Sequence, residues 1–252
     1  MRSGPFPGAP VAGFWAALGF LTILPVPERE AERGSATATI FFPWIGLGLG
    51  ALAALVARMP VDPLVAGSLA LATHFFVTGG LHWDGWADVL DATLGPALSR
   101  EKRVSILADP RIGAHAAVGV ALLAVLAVSA LARAPFWGIV LGAVTGRWVM
   151  VASLRWAPAL RSSGAAAGLR AHARPVGAGV GLAAVVALCL VRAVAPGSLA
   201  VAFGVGVVVA AAFATFLVRR LGGMNGDAHG AVGLLAETVV WLVAAETTGG
   251  TA

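Results

Sequence analysis

Charge is scarce in this sequence. Of 252 residues, 12 are acidic and 17 are basic, and charged residues make up 12% of the chain, where a soluble domain carries about 25%. Lys102 is the only lysine and the arginines are scattered singly. The formal charge of +5 therefore builds no basic stripe of the kind a nucleic acid requires, and no nucleic-acid partner is expected. The single cysteine, Cys189, excludes a disulfide within the chain, and no Cys–His spacing suggests zinc. No Walker-type loop or G-x-S-x-G elbow is present. The opening "MRSGPFPGAP" lacks an apolar region followed by a small-residue cleavage site, so no cleavable signal peptide is expected. No internal repeat is evident.

Hydrophobic residues, by contrast, make up 59% of the chain, and mean hydropathy is +0.89. Apolar runs long enough to cross a bilayer recur along the whole length. The expected architecture is an all-α, polytopic membrane helix bundle forming one unit over 1–252. Seven spans are predicted, near 38–57, 63–81, 113–132, 135–153, 176–194, 198–217 and 230–246. Residues 11–25 are short for a crossing and end in "PVPERE", so they read as an interfacial or re-entrant helix. Ala- and Gly-rich runs permit close helix packing in lipid.

Loop charge orients the bundle. In the seven-span scheme Arg29, Arg33, Arg100, Lys102, Arg103, Arg111, Arg155, Arg161, Arg170, Arg174, Arg219 and Arg220 share one side, against Arg58, Arg133 and Arg192 on the other. The first set is assigned to the cytoplasm of a bacterial inner membrane. Asp84, Asp88, Asp91, Asp109 and Asp227 then meet at one membrane face, although they lie far apart in sequence.

The segment "GGLHWDGWADVLDA" (79–92) places Asp84, Asp88 and Asp91 within eight positions, and 79–98 holds no Lys or Arg. At about 100° per residue, Asp88 and Asp91 lie roughly 40° and 20° to either side of Asp84, so all three project from one helical stripe. Like charges at i,i+4 repel, and a solvated face would mix signs. A hard divalent cation such as Mg²⁺, which takes carboxylate oxygens and bridges them to substrate phosphate, answers that repulsion. In "ILADPRIGAH" (106–115), Asp109 and Arg111 stand beside Gly113, and Arg fits phosphate oxygens in a bidentate way; an Asp–Arg helix cap is the alternative. "SREKR" (99–103) reads as a solvated basic loop, in which Arg100 or Lys102 could meet a nucleotide phosphate.

A third segment, "GGMNGDAHGAVGLLAE" (222–237), sets Gly223, Asn225, Gly226, Asp227 and His229 at a helix start, where backbone N–H groups bind anions. Asn225 or Asp227 can cap that helix, and a cap explains Asp227 almost as well as a ligand role. Glu237, three turns into a span, is a candidate functional carboxylate. His74 reads as a packed residue within a span. His82 and His229 adjoin acidic segments and are candidates for a base or phosphate contact.

Taken together, "GGLHWDGWADVLDA", "LADPRIGAHAAVGV" and "GGMNGDAHGAVGLLAE" resemble the cobalamin synthase family, the adenosylcobinamide-GDP ribazoletransferases, and "FLTILPVPE" and "FFPWIGLGLGAL" resemble its opening segments. Three positions depart from the family pattern: Pro110 stands where Ser is usual, Ala116 where Gly is frequent, and Asn225 where Thr is usual. None removes an acid. The resemblance implies transfer of the adenosylcobinamide-phosphate group of adenosylcobinamide-GDP to α-ribazole or its 5′-phosphate, with GMP released and Mg²⁺ as cofactor. Asp84, Asp88, Asp91 and His82 are then the expected catalytic residues, and Asp84, Asp88, Asp91 and Asp227 the expected metal ligands. Asp109, Arg111, Gly113, Gly223, Asn225, Gly226, Asp227 and His229 are expected at the substrate phosphates. Membrane lipid is an expected partner; a homo-oligomer and association with other cobalamin-assembly enzymes are compatible with the resemblance. The Asp spacing is also loosely similar to the Asp-rich helix of CDP-alcohol phosphotransferases. Two rival readings are an ion- or proton-coupled transporter and a Mg²⁺-dependent prenyltransferase. Acids gathered at one face without repeated halves argue against the first, and the spread of the motif match argues against the second.

Overall fold

In lipid every backbone N–H and C=O must find its partner within the protein, so a chain this apolar resolves into helices. A computed structural model describes residues 9–95, 99–160, 165–173, 179, 181–183, 186 and 196–248. The helices are α1 (Ala9–Leu21), α2 (Glu28–Gly34), α3 (Ala38–Val56), α4 (Pro63–Val77), α5 (Leu81–Leu94), α6 (Arg100–Ile106), α7 (Ala114–Leu131), α8 (Phe136–Trp156), α9 (Ala165–Ala171), α10 (Pro196–Leu221) and α11 (Gly226–Thr248). Among the described residues the only pairing of extended backbone is an isolated bridge between Ala159 and Met224.

Most of α8 and α11 is buried, whereas α7 and α10 turn most of their surface outward. The central pair approaches closely because glycines face each other: a Cβ on Gly146 of α8 would stand 2.8 Å from the Gly233 carbonyl oxygen of α11. Small residues permit such crossings where lipid supplies no hydrophobic drive. Trp241 is fully buried in this seam and its indole N–H donates to the Ile139 carbonyl at 2.9 Å, so its burial leaves no orphan donor. On the other flank α3 packs along α8.

Among the described residues, five helices are long and apolar enough to cross a membrane, and a sixth crossing arises if α4 and α5 are taken together. The apolar run at 63–81 does not form one straight helix. Asp62 caps α4 through the N–H groups of Leu64 and Val65, and Pro63 occupies the first helical position. The 15-residue helix then stops at Val77, a length of about 22 Å at 1.5 Å per residue, short of a hydrocarbon core of about 30 Å. Gly79 and Gly80 carry φ of 63° and 68°. Two successive left-handed residues end a right-handed helix, and α5 leaves at 91° to α4. The 13-residue α1 is likewise too short to span, as expected. Most of the predicted span at 176–194, Cys189 and Arg192 included, lies outside the described residues, as do Arg161 and Arg174.

The segment after α8 and the turn before α11 meet at one end of the bundle. The N–H of Met224 donates to the Pro158 carbonyl at 2.8 Å, and the N–H of Leu160 to the Met224 carbonyl at 3.0 Å. These bonds tie the α8–α9 segment to the turn before α11.

Candidate active site

The break after α4 lays α5 across that end of the bundle. Its apolar residues choose the orientation. Val89, Leu90 and Ala92 are buried, while Asp84 is exposed and Asp88 and Asp91 are half-buried at the rim. The stripe predicted from helical spacing therefore forms, and Asp84, Asp88, Asp91, Asp109 and Arg111 line one cleft of about 370 Å³. Arg103, expected to be solvated, is buried instead. Its guanidinium donates to the Ala92 and Thr93 carbonyls at 2.9 and 3.0 Å, which are among the last carbonyls of α5 and have no partner within the helix. A cation here also suits the negative end of the helix dipole.

Asp91 has a defined structural partner. Its Oδ2 accepts the Gly113 N–H at 2.6 Å and its Oδ1 accepts the Ala116 N–H at 2.9 Å. The carboxylate thus caps the start of α7 from another helix and docks the 109–113 turn beside the stripe. Gly113 serves this approach rather than a ligand, since a Cβ there would fall 2.6 Å from Asp91 Oδ1. Within the turn, Arg111 donates to both Asp109 oxygens, Nε to Oδ1 at 2.9 Å and Nη2 to Oδ2 at 2.6 Å, and its own backbone N–H adds a third bond at 3.1 Å. The side-chain bond from Arg111, reinforced by that backbone bond, lowers the Asp109 carboxyl to about 2. The Arg111 side chain is 86% exposed, so its charge stands at the mouth of the cleft.

Asp227 approaches α5 from the opposite flank. A Cβ on Gly85 would lie 2.6 Å from the Asp227 carbonyl oxygen, so only glycine between Asp84 and Trp86 admits the start of α11. Gly85 lies next to Asp84 on α5, so this contact brings Asp227 to the flank of the acidic stripe. Of the two capping candidates, Asn225 makes the cap bond: the Ala228 N–H donates to Asn225 Oδ1 at 3.0 Å, and Asn225 Nδ2 donates to Asp227 Oδ2 at 2.6 Å. Asn225 is the cap and also orients Asp227. Gly226 is the exposed first residue of α11. Gly223 packs on protein backbone, with a Cβ there meeting Leu160 N at 2.9 Å. Gly222, at φ +88°, lies under the Arg100 guanidinium, which brings a second cation near the α11 start.

The two candidate histidines point inward and do not line the acidic cleft. His229 is buried with Nδ1 2.8 Å from Ser153 Oγ. His82 is buried against Gly230 of α11. Sequence reasoning passed over Arg147, which is buried on α8 and pairs with Glu237 of α11. The signal was present: one arginine inside the apolar 135–153 run, where an intramembrane charge calls for a partner.

Oxygen donors gathered without a lysine are the donor chemistry of a hard divalent cation. Among the described residues no three side chains of ligand type already converge as a metal cage. Mg²⁺ requires none, being held by one or two carboxylates together with substrate phosphate. The residues fit such an ion.

A family model described as cobalamin-5-phosphate synthase matches residues 13–245. Curated proteins named adenosylcobinamide-GDP ribazoletransferase are similar over nearly the full length. The one from Chlorobium phaeobacteroides is 35% identical, covering 91% of this chain and 96% of its own, and that of Chlorobaculum parvum is 36% identical, covering 93% and 95%. The protein of Pseudomonas entomophila is 34% identical, covering 90% and 96%. No solved structure matches. With its Asp helix, docked turn and Gly-rich helix start all inside the matched region, the chain belongs to the cobalamin-5-phosphate synthase family.

Proposed function

We propose that this membrane protein transfers the adenosylcobinamide-phosphate group of adenosylcobinamide-GDP to a ribose hydroxyl of α-ribazole or its 5′-phosphate. The hydroxyl oxygen bonds to the cobinamide-linked phosphorus, the bond from that phosphorus to the bridging oxygen of GMP breaks, and GMP departs with the bridging oxygen. Asp84, the most open acid of the stripe, takes the hydroxyl proton. Asp84, Asp88 and Asp227 would hold Mg²⁺, which when bound neutralises charge on the pyrophosphate; phosphoryl transfer needs chiefly such positioning and charge stabilisation. Asp91 keeps the 109–113 turn docked, Arg111 offers its exposed guanidinium to a substrate phosphate, and Arg100 does so beside the α11 start.

The observation that carries this reading is the convergence of Asp84, Asp88, Asp91 and Asp109 on one cleft, with Asp227 at the flank of the acidic stripe, in a chain of this family. It is supported by the relatives' shared name and by the oxygen-only donor set. In this reading the cleft opens to the cytoplasm of the inner membrane, an orientation that the excess of arginine in the loops on that side supports. The test is GMP release by purified protein supplied with adenosylcobinamide-GDP, α-ribazole and Mg²⁺. Release is expected and should stop with EDTA. No GMP from well-folded protein would refute the assignment.

A further inference from the structure

The transfer reading leaves a second polar cluster unused, some two to three turns below the cleft. His74 of α4, Arg147 of α8 and Glu237 of α11 are each no more than 2% exposed. Arg147 Nη1 pairs with Glu237 Oε2. His74 Nε2 lies 3.0 Å from Arg147 Nη2 and 3.1 Å from Glu237 Oε1. One ring nitrogen can accept from the first or donate to the second, so one contact is always incomplete. His74 Nδ1 and Arg147 Nε are buried without hydrogen-bond partners among the described residues, as is His82 Nε2. Membrane proteins keep such costly groups where a function requires them, and the location of this cluster indicates which function.

His74 lies on the last turn of α4, and the Gly80 N–H bonds back to the Phe75 carbonyl across the break. Beyond the break, His82 sits at Gly230 of α11, where a Cβ would be 3.1 Å from its Cδ2, and Gly85 sits at Asp227. Asp227, Gly230 and Glu237 share one side of α11, within an arc of about 80°, along about 15 Å of its length. The bent α4–α5 pair is therefore held to a single helix at three heights: His74 at Glu237 below the break, His82 at Gly230 just past it, and Gly85 at Asp227 beside the acids. The lowest attachment engages the Glu237 carboxylate, which Arg147 pairs to the central helix α8.

We infer that His74, Arg147 and Glu237 are positioning residues: they set the bend between α4 and α5 and so hold Asp84 and Asp88 at the distance from Asp227 that the transfer site requires. This rests on the cleft being the reacting centre.

The test uses full-length protein with Cys189→Ala and spin labels on Val65→Cys and Leu94→Cys, exposed positions on the two arms of the bend. The parent should give a narrow distance distribution. Glu237→Gln, and separately His74→Ala, which keeps the Arg147–Glu237 pair, should each broaden it. Each should also raise the Mg²⁺ concentration for half-maximal GMP release at least tenfold, a shift that a mere loss of folded protein would not cause. A distribution that stays narrow in both variants overturns the inference, as does a broad one with unchanged Mg²⁺ half-saturation. Should Glu237→Gln fail to accumulate, His74→Ala decides. If the parent releases no GMP at all, the transfer reading falls, while the distance measurement, made without substrate, still decides whether the cluster sets the bend.

Discussion

Replacing Asp91 by Asn removes one acceptor oxygen while keeping the side-chain shape. In the native site two backbone N–H groups, of Gly113 and Ala116, each have their own carboxylate oxygen, at 2.6 and 2.9 Å. Asn offers one carbonyl oxygen and turns an NH₂ toward the other donor. The loss of one hydrogen bond to a charged group corresponds to about 1.5–3 kcal/mol. At about 1.4 kcal/mol per factor of ten, local opening of residues 109–117 should become about 10- to 150-fold more frequent. Amide hydrogen exchange followed by mass spectrometry in detergent reads that directly, with the buried α8–α11 seam as an internal control that should not change. Gly113→Ala attacks the same contact from the other side, because its Cβ would fall 2.6 Å from Asp91 Oδ1, and should accelerate exchange in the same peptide. Both variants should slow GMP release, with the remaining rate half-saturating at the wild-type Mg²⁺ concentration. Unchanged exchange at 109–117 in Asp91→Asn would refute the docking role and return Asp91 to the metal ligands.

Asp84→Asn and Asp88→Asn should each lower turnover by more than tenfold, over about 1.4 kcal/mol, without reducing the amount of folded protein; more than a tenth of wild-type rate in both would remove the acid cleft as the reacting centre. Asn225→Ala should lower unfolding stability by about 1 kcal/mol through loss of the α11 cap, whereas Asp227→Asn should spare stability and weaken GMP release and Mg²⁺ response together. An equal loss of stability in the two would make Asp227 a second cap. For topology, Lys102→Cys and Arg219→Cys in a Cys189→Ala background should resist an impermeant thiol reagent added from the periplasm. Periplasmic labelling at either chosen position would invert the orientation.

The features legible in the sequence are those with a short range. Apolar length alone calls for membrane helices, and helical period alone puts Asp84, Asp88 and Asp91 on one stripe, because both follow from the rise and turn of a helix. The Gly79–Gly80 pair marks where a helix must stop. Its 91° bend was not legible, because a left-handed glycine permits many exit directions and packing on α11 selects one. The same limit applies to the choice of cap, where Asn225 and Asp227 are chemically equivalent candidates and only the approach of Gly85 to the α11 start assigns them different tasks. Arg103 reads as a loop cation until α6 folds back onto the end of α5. Arg147 and Glu237, 90 residues apart, become a pair only because glycines let α8 and α11 meet. Local periodicity is a property of consecutive residues. The partner of a buried charge is set by which helices share the low-dielectric interior, and only the tertiary structure decides that.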